Sequence, residues 1–572
     1  MKIFDAFLNG YFVFLALLFV TGGYIPAGKL LEERVIFELS KLDHWVAGFV
    51  LLLLVRWLLS RGGRAGELAF VRFLRTLGAR LVSAPASVYL ITAGWAILLA
   101  AVAIRRHLTF GGGPDIDIFD QALWNTAHGR FYRSSIVGDV ILLSEHFDPL
   151  QLVLVPFYLV YPSPAIVLIT QAFVLALGAV PLYWMARERF PGHLLAPLFP
   201  LLYLLYRPLR EANRNDYHPG ALVPPFFLFA LYFMEKARWG PMILFLVLAG
   251  LLKEQMPIAG ATIGIYLFFA KRKRLLGAAL VIAFGLWFYA NFAWIIPAFH
   301  PTGGSYKYFG LYGTLGSTPA GTFFAPLLNP GALLASLAIH GGRKLRYVVE
   351  VFGPLAFLSF LAPFRLCLGL PFLAEHLFTD MRLMTTIRTH HTADLLPFVF
   401  FSALWGLSHL LRWLLPSGKT LATDKVPHAV AALLLATCFL FHGWSEPFHL
   451  RYHTISPHHA RLHALLAAIP PEASVSAQTP ISPHLSYRKA LYHFPDLGPA
   501  EDQAELVILD IALIERDTVR KGIAEAVATL PAKGYGKVLE EDGILVFEKQ
   551  PAPSPNRQRA NDGKRDRGEP TT

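Results

Sequence analysis

Three carboxylates stand close together in a polar segment that runs from Phe110 to Pro149: Asp115, Asp117 and Asp120. A carboxylate beside a hydroxyl can take up its proton as that oxygen forms a new bond, so the trio is a candidate catalytic base. Asp115 has a second reading as the N-cap of the amphipathic run that follows it (Phe119, Leu123, Trp124, Ala127). Asp120 falls inside that run beside Gln121 and has a rival structural role. The segment closes on a second polar group, Glu145, His146 and Asp148. These could complete an acceptor site, or hold Mg or Mn, since carboxylates with an imidazole suit those ions. Their spacing is no metal signature, and polar packing is the simpler reading.

Lys253 and Glu254 interrupt a long apolar run, where ionisable residues are costly and are usually functional or paired. Lys253 could bind a phosphate with Glu254 orienting it or binding an acceptor; alternatively the two form an ion pair that braces two half-helices. Arg382, Arg388, His390 and His391 gather just before a span that starts at Asp394. The planar fork of Arg suits phosphate, and the alternative is a cluster of side chains snorkelling at an interface. Arg207, Arg210 and Arg214 with His218 offer a competing phosphate site. The pairs His449/His453 and His459/His463 have the i,i+4 spacing of a zinc site, but Pro457 interrupts the tract and no acidic ligand accompanies it, which favours interfacial structure. Nucleotide-binding glycine loops and the HExxH motif are absent from the sequence.

The elements that must position these residues are set by composition. Of 572 residues, 55% are hydrophobic and 16% charged, and the mean hydropathy is +0.47. A soluble chain carries about 25% charged residues, so this composition predicts a polytopic α-helical membrane protein. The 45 Phe and 11 Trp fit aromatic belts at the membrane interface. The net charge of +12 sits largely in short loops, where it sets orientation rather than binding nucleic acid. Cys367 and Cys438 lie far apart in apolar runs and indicate neither a disulfide framework nor a thiolate metal site.

Spans of about 20 apolar residues, shorter where helices tilt or break, are predicted at 7–26, 45–60, 84–104, 165–186, 194–206, 219–234, two within 241–270, and at 276–297, 347–362, 366–378, 394–412 and 427–443. That makes about thirteen. Arg61 to Arg80 and Lys271-Arg272-Lys273-Arg274 mark cytoplasmic loops, which puts the N-terminus inside and the segments 105–150 and 298–346 outside. Residues 1–81 read as a two-span extension, 82–443 as the transmembrane core, 444–550 as a small extracytoplasmic α/β domain and 551–572 as a disordered tail. In the α/β domain, strands are expected at 473–477 and 505–513, a helix at 518–530 and a hairpin at 538–549 turning at Glu541-Asp542-Gly543.

The run DIDIFDQALWNTAHGRF from Asp115 resembles the hallmark D-L-G-I-F-D-Q-x-x-W-N of a prokaryotic membrane family, domain of unknown function 2079. His146-Phe147-Asp148-Pro149, Tyr161-Pro162, Tyr217-His218-Pro219, Lys253-Glu254, His391 to Pro397 and Pro483 to Arg488 are similar to later elements of that family. The resemblance covers roughly 84–550, with Asp117 in place of the family's glycine. The family's architecture is in turn similar to C-type (GT-C) glycosyltransferases. That likeness implies a polyprenyl-phosphate sugar as donor, a glycan, lipid or protein as acceptor, and a site on the outer face of the cytoplasmic membrane. It implies an essential acid in the first external loop, so one of Asp115, Asp117 and Asp120 as base; on the chemistry of the residues themselves, Lys253 and the external arginines such as Arg388, with His391, would hold the lipid phosphate. The alternatives are a non-catalytic transporter or binding protein for a lipid or glycan, and a scaffold whose external module recruits partners.

Overall fold

The computed structural model describes residues 85–301, 306–316, 328–415, 421, 426–442, 454–513 and 517–551, with the single positions 8, 11, 52 and 76. Apart from those single positions, the spans expected at 7–26 and 45–60 and the basic loop after them lie outside the described residues, as do His449, His453 and the tail after 551. The chain divides into two compact units, one of residues 1–107 and 141–454, the other of 108–140 and 455–572.

The first unit is helical. In the described chain, Ala86–Leu108, Ala165–Arg189 and Arg274–Phe299 are long and apolar enough to cross a membrane, and Pro149–Val160, Pro219–Glu235, Trp239–Gly250, Pro257–Phe269 and Val426–Phe441 are shorter apolar helices. The interruption at Lys253 separates Trp239–Gly250 from Pro257–Phe269, as the sequence leads one to expect. Pro257 lacks an amide hydrogen and so begins a helix rather than continuing one. Two expectations are corrected. An apolar helix at Pro149–Val160 stands where no span was assigned, again opening at a proline. The single span expected at 347–362 is broken, because Gly341–Phe352 ends at Gly353-Pro354 and Ala356 and Phe357 take positive φ angles of 49° and 55°.

Close backbone approach fixes the helix pair Pro257–Phe269 and Arg274–Ala290. A Cβ added to Gly264 would stand 2.7 Å from the Gly277 carbonyl oxygen, so the crossing tolerates only hydrogen at that point. Leu396–Leu414 is buried along most of its length and packs against the Pro219–Glu235 region through Phe398 and Phe227, whose rings are 5.3 Å apart.

The second unit is a mixed five-stranded sheet. Its order is Leu491–His493, Val475–Ala477, Leu506–Asp510, Ile544–Lys549, Tyr535–Glu541, with the first three strands parallel and the last two joined antiparallel. The two-residue side-chain period sorts the faces. Ile508 and Val546 pack with Leu462 and Leu466 of helix Pro457–Ala467 and with Phe110. Val507, Leu509, Leu545 and Phe547 face Leu530, Ile523 and Val527 on the other side. The strands and the hairpin lie where the sequence places them, within two or three residues. The strand Leu491–His493, three residues long, was not foreseen.

Residues 108–140 fold with this sheet instead of standing as a loop of the helical unit. One amide secures them. The Gln121 Nε2 group donates to Ser135 Oγ and to the Arg488 carbonyl, each at 2.9 Å. Its Oε1 accepts from Ser134 Oγ and the Ser135 N–H, also at 2.9 Å. Ser135 Oγ then donates to the Leu491 carbonyl and accepts the Leu491 N–H, which ties the segment to the edge strand.

Candidate functional site

The helix Ile116–Ala127 of the second unit carries Asp117 and Asp120 and is preceded by Asp115. Asp115 occupies the N-cap position, but its side chain makes no capping bond, so the structural reading of that residue as a cap is corrected. Asp117 and Asp120 are wholly buried. One oxygen of Asp117 accepts the Ser482 hydroxyl and lies 2.7 Å from His493 Nε2. Its other oxygen, Oδ1, is buried with no hydrogen-bond partner among the described residues. Burial disfavours the imidazolium of His493, but the bond to Asp117 and the charges of Asp117, Asp115 and Asp496 outweigh it, so the pKa of His493 is raised. The result is a carboxylate–imidazole pair with the ring partly exposed and the carboxylate inside. Asp120 faces the interior of the unit.

The polar residues of the first unit converge from four stretches far apart in sequence. Glu254 is fully buried at the break between the two short helices. It meets His146 Nδ1 at 3.0 Å, the Phe147 N–H at 3.1 Å and the hydroxyl of Tyr306, while Asn291 Nδ2 donates to its backbone carbonyl at 2.9 Å. Burial opposes ionisation of Glu254, yet the adjoining His146, Lys253 and Tyr306 hold its carboxyl down at about 2. His146 stacks on Tyr308 with centroids 4.8 Å apart. Glu145 pairs with Lys307, whose ammonium lies 5.0 Å from the same Tyr308 ring. Asp148 is buried at the start of Pro149–Val160.

From His146 the cluster continues through imidazoles. Its ring is 5.9 Å from that of His218, His218 stacks on His390 at 3.8 Å and 11°, and His390 lies 4.2 Å from His391. Burial foremost, then the charge of Lys253 and the neighbouring rings, push all three of these histidines far below their ordinary value, so they stand neutral. Lys253 threads beside them. A Cβ on Gly220 would meet the Lys253 side chain at 3.0 Å and His218 Nδ1 at 3.2 Å. Lys253 is half-buried and makes no hydrogen bond or ion pair among the described residues. Glu254 braces the helix break with His146 and Tyr306; of the two alternatives for Lys253-Glu254, the close ion pair is not formed, although the Lys253 charge still acts on Glu254.

The structure thus gathers Glu145, His146, His218, Lys253, Glu254 and His391 in one unit, and sequence spacing gave no hint that Tyr306 and Tyr308 join them. Asp115, Asp117 and Asp120 belong to the other unit. Arg388 is exposed on the turn before His390. Arg207 and Arg214 both pair with Glu211 on their own helix, at 3.1 and 2.7 Å, while His218, grouped with them as a competing phosphate site, lies in the imidazole stack. In the histidine tract, His458 bridges Asp510 and Asp542, His459 completes a capping box with Ser456, and His463 bonds the Leu108 carbonyl; these are structural roles. Among the described residues no group of three His, Cys, Asp or Glu side chains converges as a metal site. His493 was missed because a three-residue strand leaves little periodicity to read.

A family model described as "Predicted membrane protein (DUF2079)" matches residues 106–546, in agreement with the resemblance carried by DIDIFDQALWNTAHGRF. Among solved structures, the chain is similar to the crystal structure of ArnT from Cupriavidus metallidurans bound to undecaprenyl phosphate, with a TM-score of 0.45 and 14% identity over 80% of this chain and 98% of that one. Comparison with curated proteins returns no match.

Proposed function

The chain belongs to the DUF2079 family of membrane proteins, and from that premise we propose that it is an integral membrane glycosyltransferase of the GT-C type. It takes a sugar from a polyprenyl-phosphate donor and passes it to an acceptor hydroxyl on the outer side of the cytoplasmic membrane. The observation that supports this reading is Lys253: a half-buried ammonium that makes no hydrogen bond or close ion pair among the described residues, feels the buried Glu254 and Glu375 carboxylates only at longer range, and lies beside three neutral imidazoles. A half-buried charge without a direct partner is costly, and a lipid phosphodiester would bring an oxyanion into contact with it. Neutral imidazoles add N–H donors without adding charge.

The acceptor proton is assigned by chemistry to the Asp117–His493 pair, with Asp115 adjoining. Asp117 orients the imidazole and stabilises its protonated form, which is what a carboxylate behind a general base does. The leaving group is a stabilised phosphate and needs little acid assistance. Thirteen spans, a cytoplasmic N-terminus and an extracytoplasmic sheet unit complete the proposal.

The test is turnover of a panel of polyprenyl-phosphate sugars by the purified protein in lipid nanodiscs, beside a variant with Ala at both Asp115 and Asp117. Donor consumption lost in the variant supports the reading. Full activity in the variant removes the proposed base. Tight lipid-phosphate binding with no turnover on any acceptor moves the weight to a lipid transporter or binding protein. The buried His376–Asp394 pair, 3.4 Å apart in the helical unit, favours that second reading, since ion-coupled transporters keep ionisable groups inside their bundles.

A further inference from the structure

The imidazole stack has a property that anchoring a phosphate does not require. His390 is only 8% exposed, and neither of its ring nitrogens has a hydrogen-bond partner among the described residues. Leaving buried polar atoms unpaired is unfavourable, and a ligand oxygen would relieve it. The Gly220 N–H donates to His218 Nδ1 at 3.1 Å, so the proton of that neutral ring sits on Nε2. Two imidazolium rings stacked at 3.8 Å would repel strongly. The stack therefore has room for one added proton and no more.

We propose that the His218–His390–His391 stack takes up one proton when the bound lipid phosphate changes from a diester to a monoester, matching the charge of substrate and product in turn. This rests on the lipid-phosphate reading above. A sugar joined through a phosphodiester carries one negative charge, which Lys253 balances. In the transfer, the bond between the anomeric carbon and the phosphate oxygen breaks and its electron pair stays on phosphate. The anomeric carbon bonds the acceptor oxygen, the acceptor's hydroxyl proton passes to the base proposed above, and the proton that the stack takes up comes from solvent. The product is a monoester with a second ionisation near pH 6, so above that pH it carries two charges against one ammonium. The stack, whose His218 lies with the Lys253 side chain at Gly220, can supply the second positive charge.

Of the other charged groups around the stack, Arg388 is exposed to solvent two residues before His390, and the buried ones have interactions of their own. His146 faces it but is held by Glu254. His376 lies beside His391 and pairs with Asp394, with Glu375 accepting from Gln255 Nε2 at 3.1 Å. The helix Arg207–Asn215 packs against residues 390–394 and brings Arg210, Glu211 and Arg214, of which Glu211 and Arg214 pair with each other. Burial and Lys253 keep the rings neutral until a second negative charge arrives.

The experiment is titration calorimetry at pH 8 on the full-length protein in nanodiscs, in two buffers of different ionisation enthalpy. The ligands are polyprenyl monophosphate and its methyl diester. Proton uptake approaching one per monoester and none for the diester is expected. Infrared difference spectra of protein carrying 15N-histidine should show an imidazolium band with the monoester only. His390→Gln and, separately, His391→Gln should reduce the uptake, with cooperative melting as the check on folding. Binding of both lipids with no uptake, with equal uptake, or with uptake unchanged in both variants overturns the inference and leaves the lipid-phosphate reading standing. Failure of either lipid to bind removes that reading and the inference together.

Discussion

Replacing Lys253 by Met separates a ligand-binding lysine from a bracing one, because the two roles predict different changes in stability. Lys253 has no hydrogen bond or ion pair among the described residues, so the variant gives up no internal contact of that kind. Removing the half-buried charge relieves its desolvation and gives up its longer-range attraction for Glu254, opposed effects that should leave the melting temperature of the empty protein near its starting value. Binding should behave otherwise. An ammonium and a phosphate about 4 Å apart attract by roughly 4 kcal/mol at an effective dielectric constant near 20. Desolvation reduces this to the 1.5–3 kcal/mol typical of a hydrogen bond to a charged group. About 2 kcal/mol is a rise in Kd of roughly 30-fold. The assay is binding of polyprenyl monophosphate to the protein in nanodiscs, beside thermal melting of the same samples. Lys253→Arg keeps the charge on a wider group and should lose less. A change in Kd below about threefold, or a drop of several degrees in melting temperature, would refute the argument, the second by showing that Lys253 is a brace.

Three further outcomes follow from the buried pairs. Glu254→Gln removes the charge that His146, Tyr306 and the Phe147 N–H all address, and should cost about 3 kcal/mol, as breaking one side of a buried pair does. The carboxyl of Glu254 is held at about 2 against an ordinary 4.5, so its stabilisation is complete above pH 4.5 and is lost as pH falls toward 2; melts across that range check it, and a flat profile counts against the network. Asp117→Asn should lower the pKa of His493, whose stabilising share is present below the ordinary histidine value of 6.5 and lost as pH rises through its raised value; NMR titration of 15N-histidine protein reads the shift, and no movement would mean that Asp117 does not orient the ring. Gln121→Ala leaves Ser134, Ser135 and the Arg488 carbonyl without their partner and should cost about 2–4 kcal/mol, seen as faster proteolysis between residues 108 and 140; unchanged proteolysis would show that other contacts hold the segment.

What the sequence discloses here is whatever is local. A proline after a polar pair marks the break at Lys253 because the missing amide hydrogen acts on its own helix, and that break is found at Pro257. The strand at Leu506–Asp510 is legible because Leu506-Val507-Ile508-Leu509 is a short continuous apolar run, the pattern of a strand buried on both faces. The partners are another matter. His146 and Glu254 are 108 positions apart, Asp117 and His493 are 376 apart, and nothing in the spacing of either residue points to the other. The failure at Lys253-Glu254 has a specific cause: adjacent opposite charges read as a pair, yet at the end of a helix turn two neighbouring side chains leave the backbone in different directions. Glu254 turns inward to His146 and Tyr306, and Lys253 runs past Gly220 to the imidazoles. With its oxygens directed at His146, the Phe147 N–H and Tyr306, Glu254 leaves Lys253 without a direct contact, although the two charges still act on each other. The snorkelling alternative for His390 does not hold, because its ring is buried and neither nitrogen has a hydrogen-bond partner among the described residues, and no spacing in the sequence announces that.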